Sequence, residues 1–193
     1  MNKKNILAFL LVVLFFAIPI VSAWWVFSHH NRLSLKTLNH GLLITPAIPI
    51  QSLNLTTTTN TFDGTVWHQH WVLLYVNPSD TCAHACQQDL YYLRQIRIAL
   101  GKNQDQVVRA YVSFGISSQT QALINKVFVG TTALISTPAA LVHFLKGQDF
   151  SAATLKDGQL FVIDPNGWVM MRYPVDFKAK DVLDDMSRLL SVN

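Results

Sequence analysis

The chain has 193 residues, half of them hydrophobic, with 15 Lys+Arg against 11 Asp+Glu and a formal net charge of +4. That length suits one domain plus an appendage, and the mean hydropathy of +0.26 is high for a soluble domain. Lys3 and Lys4 carry two of the positive charges; the 13 basic residues that follow face 11 aspartates and no glutamate, with no basic stripe among aromatics, so nucleic acid is excluded as an expected partner.

The excess hydrophobicity sits at the start. Residues 6–27 form an apolar run without a charge, long enough to cross a bilayer as a helix. Lys3 and Lys4 assign residues 1–5 to the cytoplasm under the positive-inside tendency. A signal peptide shares that orientation: an apolar core at 6–18, the breaker Pro19, and the small-residue run Val21-Ser22-Ala23. The apolar run continues past that cleavage point through Trp24, Trp25, Val26 and Phe27, and paired tryptophans fit an interfacial belt. Both readings export the remainder, where disulfides are permitted.

Residues 28–60 read as a linker and lead-in. Gly41, Pro46, Pro49 and the run of threonines at 56–59 argue against a long helix, while 42–44 and 52–55 are candidate edge strands. His29, His30 and His40 read as juxtamembrane or linker residues. His68 and His70 precede the first regular strand as His-x-His, a spacing that puts both side chains on one strand face.

The domain proper is expected over 61–193. Residues 71–76 are a continuous apolar run bounded by Asn77-Pro78-Ser79-Asp80, as in a strand buried on both faces. Helical periodicity follows over 87–100, with Leu90, Leu93, Ile96 and Leu100 on one stripe, Arg94 and Arg97 on a solvated flank, and Gly101 as a stop. Residues 107–114 predict a second strand, 119–129 a weaker helix and 138–145 a short helix that places His143 in the core or at its boundary. Residues 160–163 and 168–173 predict two strands joined by the turn Asp164-Pro165-Asn166-Gly167. An amphipathic helix over 178–190 ends the chain. The order β–α–β–α, hairpin, α is that of the thioredoxin fold: a central mixed sheet flanked by helices, here with one N-terminal transmembrane helix.

The chemistry centres on Thr81-Cys82-Ala83-His84-Ala85-Cys86, which holds both cysteines of the chain. A cysteine pair at the start of a helix meets unpaired N–H groups and a positive dipole end, which favour thiolate and reactivity, at Cys82 above all. Asp80 is placed to cap that helix. Two thiolates four residues apart suit a soft ion such as Cu(I) and leave zinc short of four ligands. His84 is the nearest third ligand or pKa modulator. Three readings stay open: a Cu(I) clamp formed by Cys82, Cys86 and His84, a thiol–disulfide catalyst using Cys82 and Cys86, and a structural disulfide on a non-catalytic scaffold.

An exported thioredoxin-like domain with Cys82-x-x-x-Cys86 after a strand, and with Phe161-Val162-Ile163-Asp164-Pro165-x-Gly167, resembles the Sco/SenC family. That resemblance implies a role in copper insertion into cytochrome c oxidase, with Cys82 and Cys86 as metal-ligating and redox cysteines. The family's ligand histidine would fall near 154–160, where this chain has none, and its flanking prolines are missing. The stretch Leu90-Tyr91-Tyr92-Leu93-Arg94-Gln95-x-Arg97-x-Ala99-Leu100-Gly101-Lys102 and the segment Asp164-Pro165-x-Gly167-x-x-Met170-Met171-Arg172-Tyr173-Pro174 are similar to bacterial inner-membrane proteins described as cytochrome oxidase assembly proteins. This second resemblance implies a single-pass bacterial inner-membrane protein with its C-terminal domain in the periplasm. Its partner would be a cytochrome c oxidase subunit or another assembly factor.

Overall fold

The computed structural model describes residues 3–28, 38–57, 61–62, 64–145 and 158–191, apart from the side chains of 3–11, 26, 27, 141 and 145. The chain divides into two compact units, Met1–Leu38 and Asn39–Asn193.

The first unit is built on one helix, α1 (Lys3–Ser28), with Pro19 inside it. Phe15, Phe16, Trp24 and Trp25 are exposed along it. Among the described residues no helix is long and apolar enough to cross a membrane.

The second unit is organised by a six-stranded mixed sheet. Its strands are β1 (Leu42–Pro49), β2 (Trp71–Asn77), β3 (Val107–Ser113), β4 (Thr131–Ile135), β5 (Gln159–Ile163) and β6 (Trp168–Arg172). The spatial order is β1-β6-β5-β2-β3-β4. Strand β2 sits inside, parallel to β3 in the register Trp71↔Val107 and antiparallel to β5 in the register Val72↔Ile163. A strand with neighbours on both edges and helices on its faces has no solvated side, which is why 71–76 reads as an unbroken apolar run. All seven of its residues are buried.

Alternation along β2 splits the core in two. Trp71, Leu73 and Tyr75 join Leu90, Leu93 and Ile96 of α2 (His84–Ala99) and Val182 and Met186 of α5 (Ala179–Ser191) on one face. Val72, Leu74 and Val76 point the other way and pack with Ile44, Leu53, Trp67 and Phe144, the last from α4 (Pro138–Leu145). The predicted helix at 119–129 is α3 (Ser118–Lys126), capped by Ser117, whose hydroxyl accepts from the Thr120 amide.

Two strands differ from the sequence reading. The predicted sequence of elements lacks β4, a five-residue edge strand that opens Thr131-Thr132 and runs parallel to β3. Strand β1 is longer than the predicted 42–44 and pairs antiparallel with β6. Its prolines are tolerated because an edge strand has one side without ladder bonds. Of the predicted strand at 52–55, Ser52 and Leu53 lie instead in a 3-10 turn over Ile50–Leu53.

The histidines move too. His68 caps a 3-10 turn, Gln69 has φ 70°, and the His70 ring lies 3.1 Å from the His68 carbonyl, so the two are not alternating strand residues. His143 is exposed while its neighbour Phe144 takes the core position. His29 and His30 lie outside the described residues. His40 is no linker residue: its backbone N–H donates to Asp185 Oδ2 (2.8 Å), and its ring Nδ1 lies 3.1 Å from Asp185 Oδ1. Gly41 N–H (2.9 Å) and Tyr173 O–H (2.9 Å) donate to the same carboxylate, which is 2% exposed. Burial alone would raise the Asp185 pKa; the donors from Gly41, Tyr173 and His40 outweigh it and hold the carboxyl below its usual range.

Candidate functional site

Strand β2 ends at Asn77, and the chain turns through Pro78, Ser79 and Asp80 before α2 begins at His84. Cys82 therefore lies ahead of the helix and Cys86 in its first turn. Ala83, the N-cap, is extended (φ −69°, ψ −179°). That extended residue draws the two Cα atoms to 5.2 Å, and the pair is joined as a disulfide. A regular helical turn holds Cβ atoms about 5–6 Å apart, too far for the bridge. The loop position of Cys82 removes that conflict.

Asp80 does not cap α2. It lies three residues ahead of the N-cap Ala83, and among the described residues no side-chain cap bond is made there. The Asp80 carbonyl instead accepts from Ser117 N–H (3.0 Å) and from the Thr120 hydroxyl (3.1 Å). The same Thr120 oxygen accepts from Cys82 N–H at 3.0 Å. The start of α3 thus holds the cysteine loop, through a contact 38 residues away in sequence. The open start of α2 leaves its first N–H groups free of side-chain caps, the arrangement that stabilises a nearby anion.

Both cysteines are largely buried, Cys82 at 7% and Cys86 at 5% exposure, and their surroundings differ. Cys82 lines a cavity of about 300 Å³ with Thr81, Ala83, Gln87, Gln119 and Thr120. Cys86 faces the interior, where Asn77 Nδ2 lies 3.7 Å from its sulfur, 2.9 Å from Tyr111 Oη and 3.1 Å from the Thr81 carbonyl. Asn77 is 5% exposed, so a buried amide orders the turn and contacts the inner sulfur. Sequence reasoning passed over Asn77 as a turn former and gave no role to Thr120. The one available signal was a polar residue closing an otherwise apolar strand.

His84 is exposed at the first position of α2. It lines a separate groove of about 310 Å³ with Gln88, Asp89, Tyr92, Asp176 and Phe177. The structure brings Cys82 and Cys86 together and leaves His84 facing elsewhere. Among the described residues no group of three or more His, Cys, Asp or Glu is gathered to hold a metal. Residues 154–157, part of the stretch where a family ligand would fall, lie outside the described residues.

One further titratable group borders the pair. Asp89 is one turn beyond Cys86 on α2. Burial pushes its carboxyl up to about 6, against the Tyr75 hydroxyl that donates to it and with the Asp176 charge adding to the rise. Tyr75 in turn lies close against the Tyr111 ring, with centroids 6.4 Å apart.

The cysteine pair lies between the central strand β2 and the helix α2 that follows it. The family described as transmembrane-like, thioredoxin-like, C-terminal domain matches residues 71–193. The chain belongs to this family. No curated protein matches it.

Solved structures share its fold. Apo Sco1 of Thermus thermophilus is 17% identical with a TM-score of 0.55, covering 82% of this chain and 99% of its own. Copper-bound yeast Sco1 is 10% identical with a TM-score of 0.55, covering 81% of this chain and 94% of its own. The thioredoxin domain of a thiol-disulfide oxidoreductase from Bacteroides vulgatus is 14% identical with a TM-score of 0.51, covering 80% of this chain and 99% of its own. At such identities the likeness is one of fold, shared by a copper-bound protein and a thiol-disulfide oxidoreductase alike.

Proposed function

We propose that this protein is a membrane-anchored thiol–disulfide exchange factor serving cytochrome oxidase assembly, with Cys82 and Cys86 as its working pair. The observation that carries the reading is the asymmetry of the pair: Cys82 opens onto a cavity, while Cys86 is turned inward against Asn77. An attacking sulfur needs access and thiolate character. Cys82 has the cavity, and the uncapped start of α2 beside it supplies the dipole.

In the reduced protein, the Cys82 thiolate attacks one sulfur of a partner disulfide, and the partner's other sulfur leaves as thiolate. Cys86, losing its proton to solvent, attacks Cys82 Sγ and releases the second partner thiolate. Two electrons pass to the partner, and the Cys82–Cys86 disulfide described above is the product. An exported dithiol reductant restores the starting state.

The oxidase role, the bacterial inner-membrane anchor at 6–27 and the periplasmic domain are supported by the motif resemblances at 90–102 and 164–174 and by the charge-free run after Lys4. A second reading, transfer of Cu(I) as cargo, draws support from the Sco1 fold. The Cα atoms lie 5.2 Å apart in the disulfide, and from such positions the two sulfurs, once reduced, would be close enough to share one soft ion. His84 does not complete that set as placed, so a third ligand would have to come from a partner or from residues outside those described.

Trapping tests the exchange reading. The full chain with Cys86→Ser, expressed in cells making the oxidase, should accumulate a mixed disulfide through Cys82, released by dithiothreitol. Cys82→Ser should trap little. Equal trapping by both variants, or by neither, sinks the assignment.

A further inference from the structure

The sequence assigns Arg94 and Arg97 to a solvated helix flank, yet both act on a third arginine inside the domain. Arg109, on β3, is 5% exposed. Its Nη2 donates to the Val129 carbonyl at 2.7 Å, while its Nε and Nη1 are buried with no hydrogen-bond partner among the described residues. Gly130, at φ +82°, makes the space: a Cβ there would lie 3.2 Å from Arg109 Nη2. Burial, then the charges of Arg97 and Arg94, lower the Arg109 pKa to about 10, which leaves the guanidinium charged at neutral pH. Among the described residues no ion pair holds it.

An unpaired buried charge is costly, and proteins hold such groups only with a counter-charge or hydrogen-bond partners. Arg97 and Arg94, three residues apart on α2, share one face of that helix. Arg97 Nε donates to the Val107 carbonyl (2.8 Å), and its Nη2 pairs with Asp105 at 3.1 Å. Arg94 reaches the Val127 carbonyl at 3.4 Å and is exposed. Among the described residues, three guanidinium charges against the one carboxylate of Asp105 leave an excess of two.

We propose that Arg94, Arg97 and Arg109 form a binding site for a doubly charged phosphate-class oxyanion, with Arg94 and Arg97 as its rim and Arg109 as its buried base. Guanidinium groups suit such oxyanions through several fixed donors. The anion matches the excess charge, held by Arg94 and Arg97 above the buried positive charge of Arg109. Neither cysteine takes part, so the site stands apart from the exchange chemistry.

The test uses the full chain in neutral detergent micelles. Its thermal unfolding is followed against inorganic phosphate, against chloride at matched ionic strength, and against micelles doped with phosphatidic acid. Phosphate or phosphatidic acid should raise the unfolding temperature saturably above the chloride control, and which of them does so identifies a free or a lipid-borne group. Arg109→Met should abolish the effect, and Arg94→Gln should weaken the apparent affinity about ten-fold, the loss of one charged hydrogen bond. Should Arg109→Met fail to fold, Arg94→Gln and Arg97→Gln carry the test. No stabilisation beyond chloride, or full affinity retained in the variants that fold, overturns the site.

Discussion

Replacing Asp185 by alanine tests a buried carboxylate held by several donors. Its carboxylate is 2% exposed and takes donors from His40 N–H, Gly41 N–H, the Tyr173 hydroxyl and the His40 ring. Hydrogen bonds to charged groups are worth about 1.5–3 kcal/mol each, and they do not add. Removing one partner of a buried charged network costs about 3–5 kcal/mol, and that is the loss expected for Asp185→Ala. Tyr173→Phe removes one donor and should cost about 1–2 kcal/mol. Urea unfolding of the full chain, followed by tryptophan fluorescence, reads both through the midpoint at unchanged slope. The pH dependence has a definite sign. The folded pKa of Asp185 lies below its ordinary 3.8, so its contribution is complete above that value and is lost as pH falls through the folded pKa. Asp185→Ala should flatten that acid limb. A loss under about 1 kcal/mol, or an acid limb unchanged in the variant, would refute the reasoning.

Asp89 behaves in the opposite sense. Its carboxyl is raised from 3.8 to about 6, so the folded state binds more protons between these values, and stability falls as pH rises through 6. The side chain is only half-buried, so solvent screening limits the effect to about 1 kcal/mol, and Asp89→Asn should abolish it in urea midpoints measured from pH 4 to 7. Thr120→Val leaves Cys82 N–H without its acceptor and Asp80 without one donor. It should cost about 1–2 kcal/mol and speed alkylation of reduced Cys82, read by mass spectrometry; unchanged stability and unchanged alkylation would contradict the proposed clamp.

The parts of this fold that were legible in the sequence are those buried on a regular period. The run at 71–76, the stripe from Leu90 to Leu100, the Asp164–Gly167 turn between two strands and the amphipathic end of the chain all express local burial, which one sequence displays directly. Strands β1 and β4 are edges: β4 is short and opens on two threonines, and β1 contains prolines that only an edge accepts. The cysteine pair was legible, but the loop position of Cys82 was not, because it depends on Ala83 being extended and on Thr120 holding the loop from another helix. His40 and Asp185 are separated by 145 residues, and Arg109 by 12 from the nearer of its two arginine neighbours on α2. Such long-range polar pairings leave no periodic trace.

The reduction potential of the Cys82–Cys86 couple, measured on the full chain by equilibration with glutathione or dithiothreitol buffers, tests the exchange role most directly. A working pair with a cavity-facing sulfur beside an uncapped helix start should lie above about −300 mV, in the range of exchange proteins. A value well below about −300 mV, typical of structural disulfides, would make the bridge a staple and contradict the proposed function.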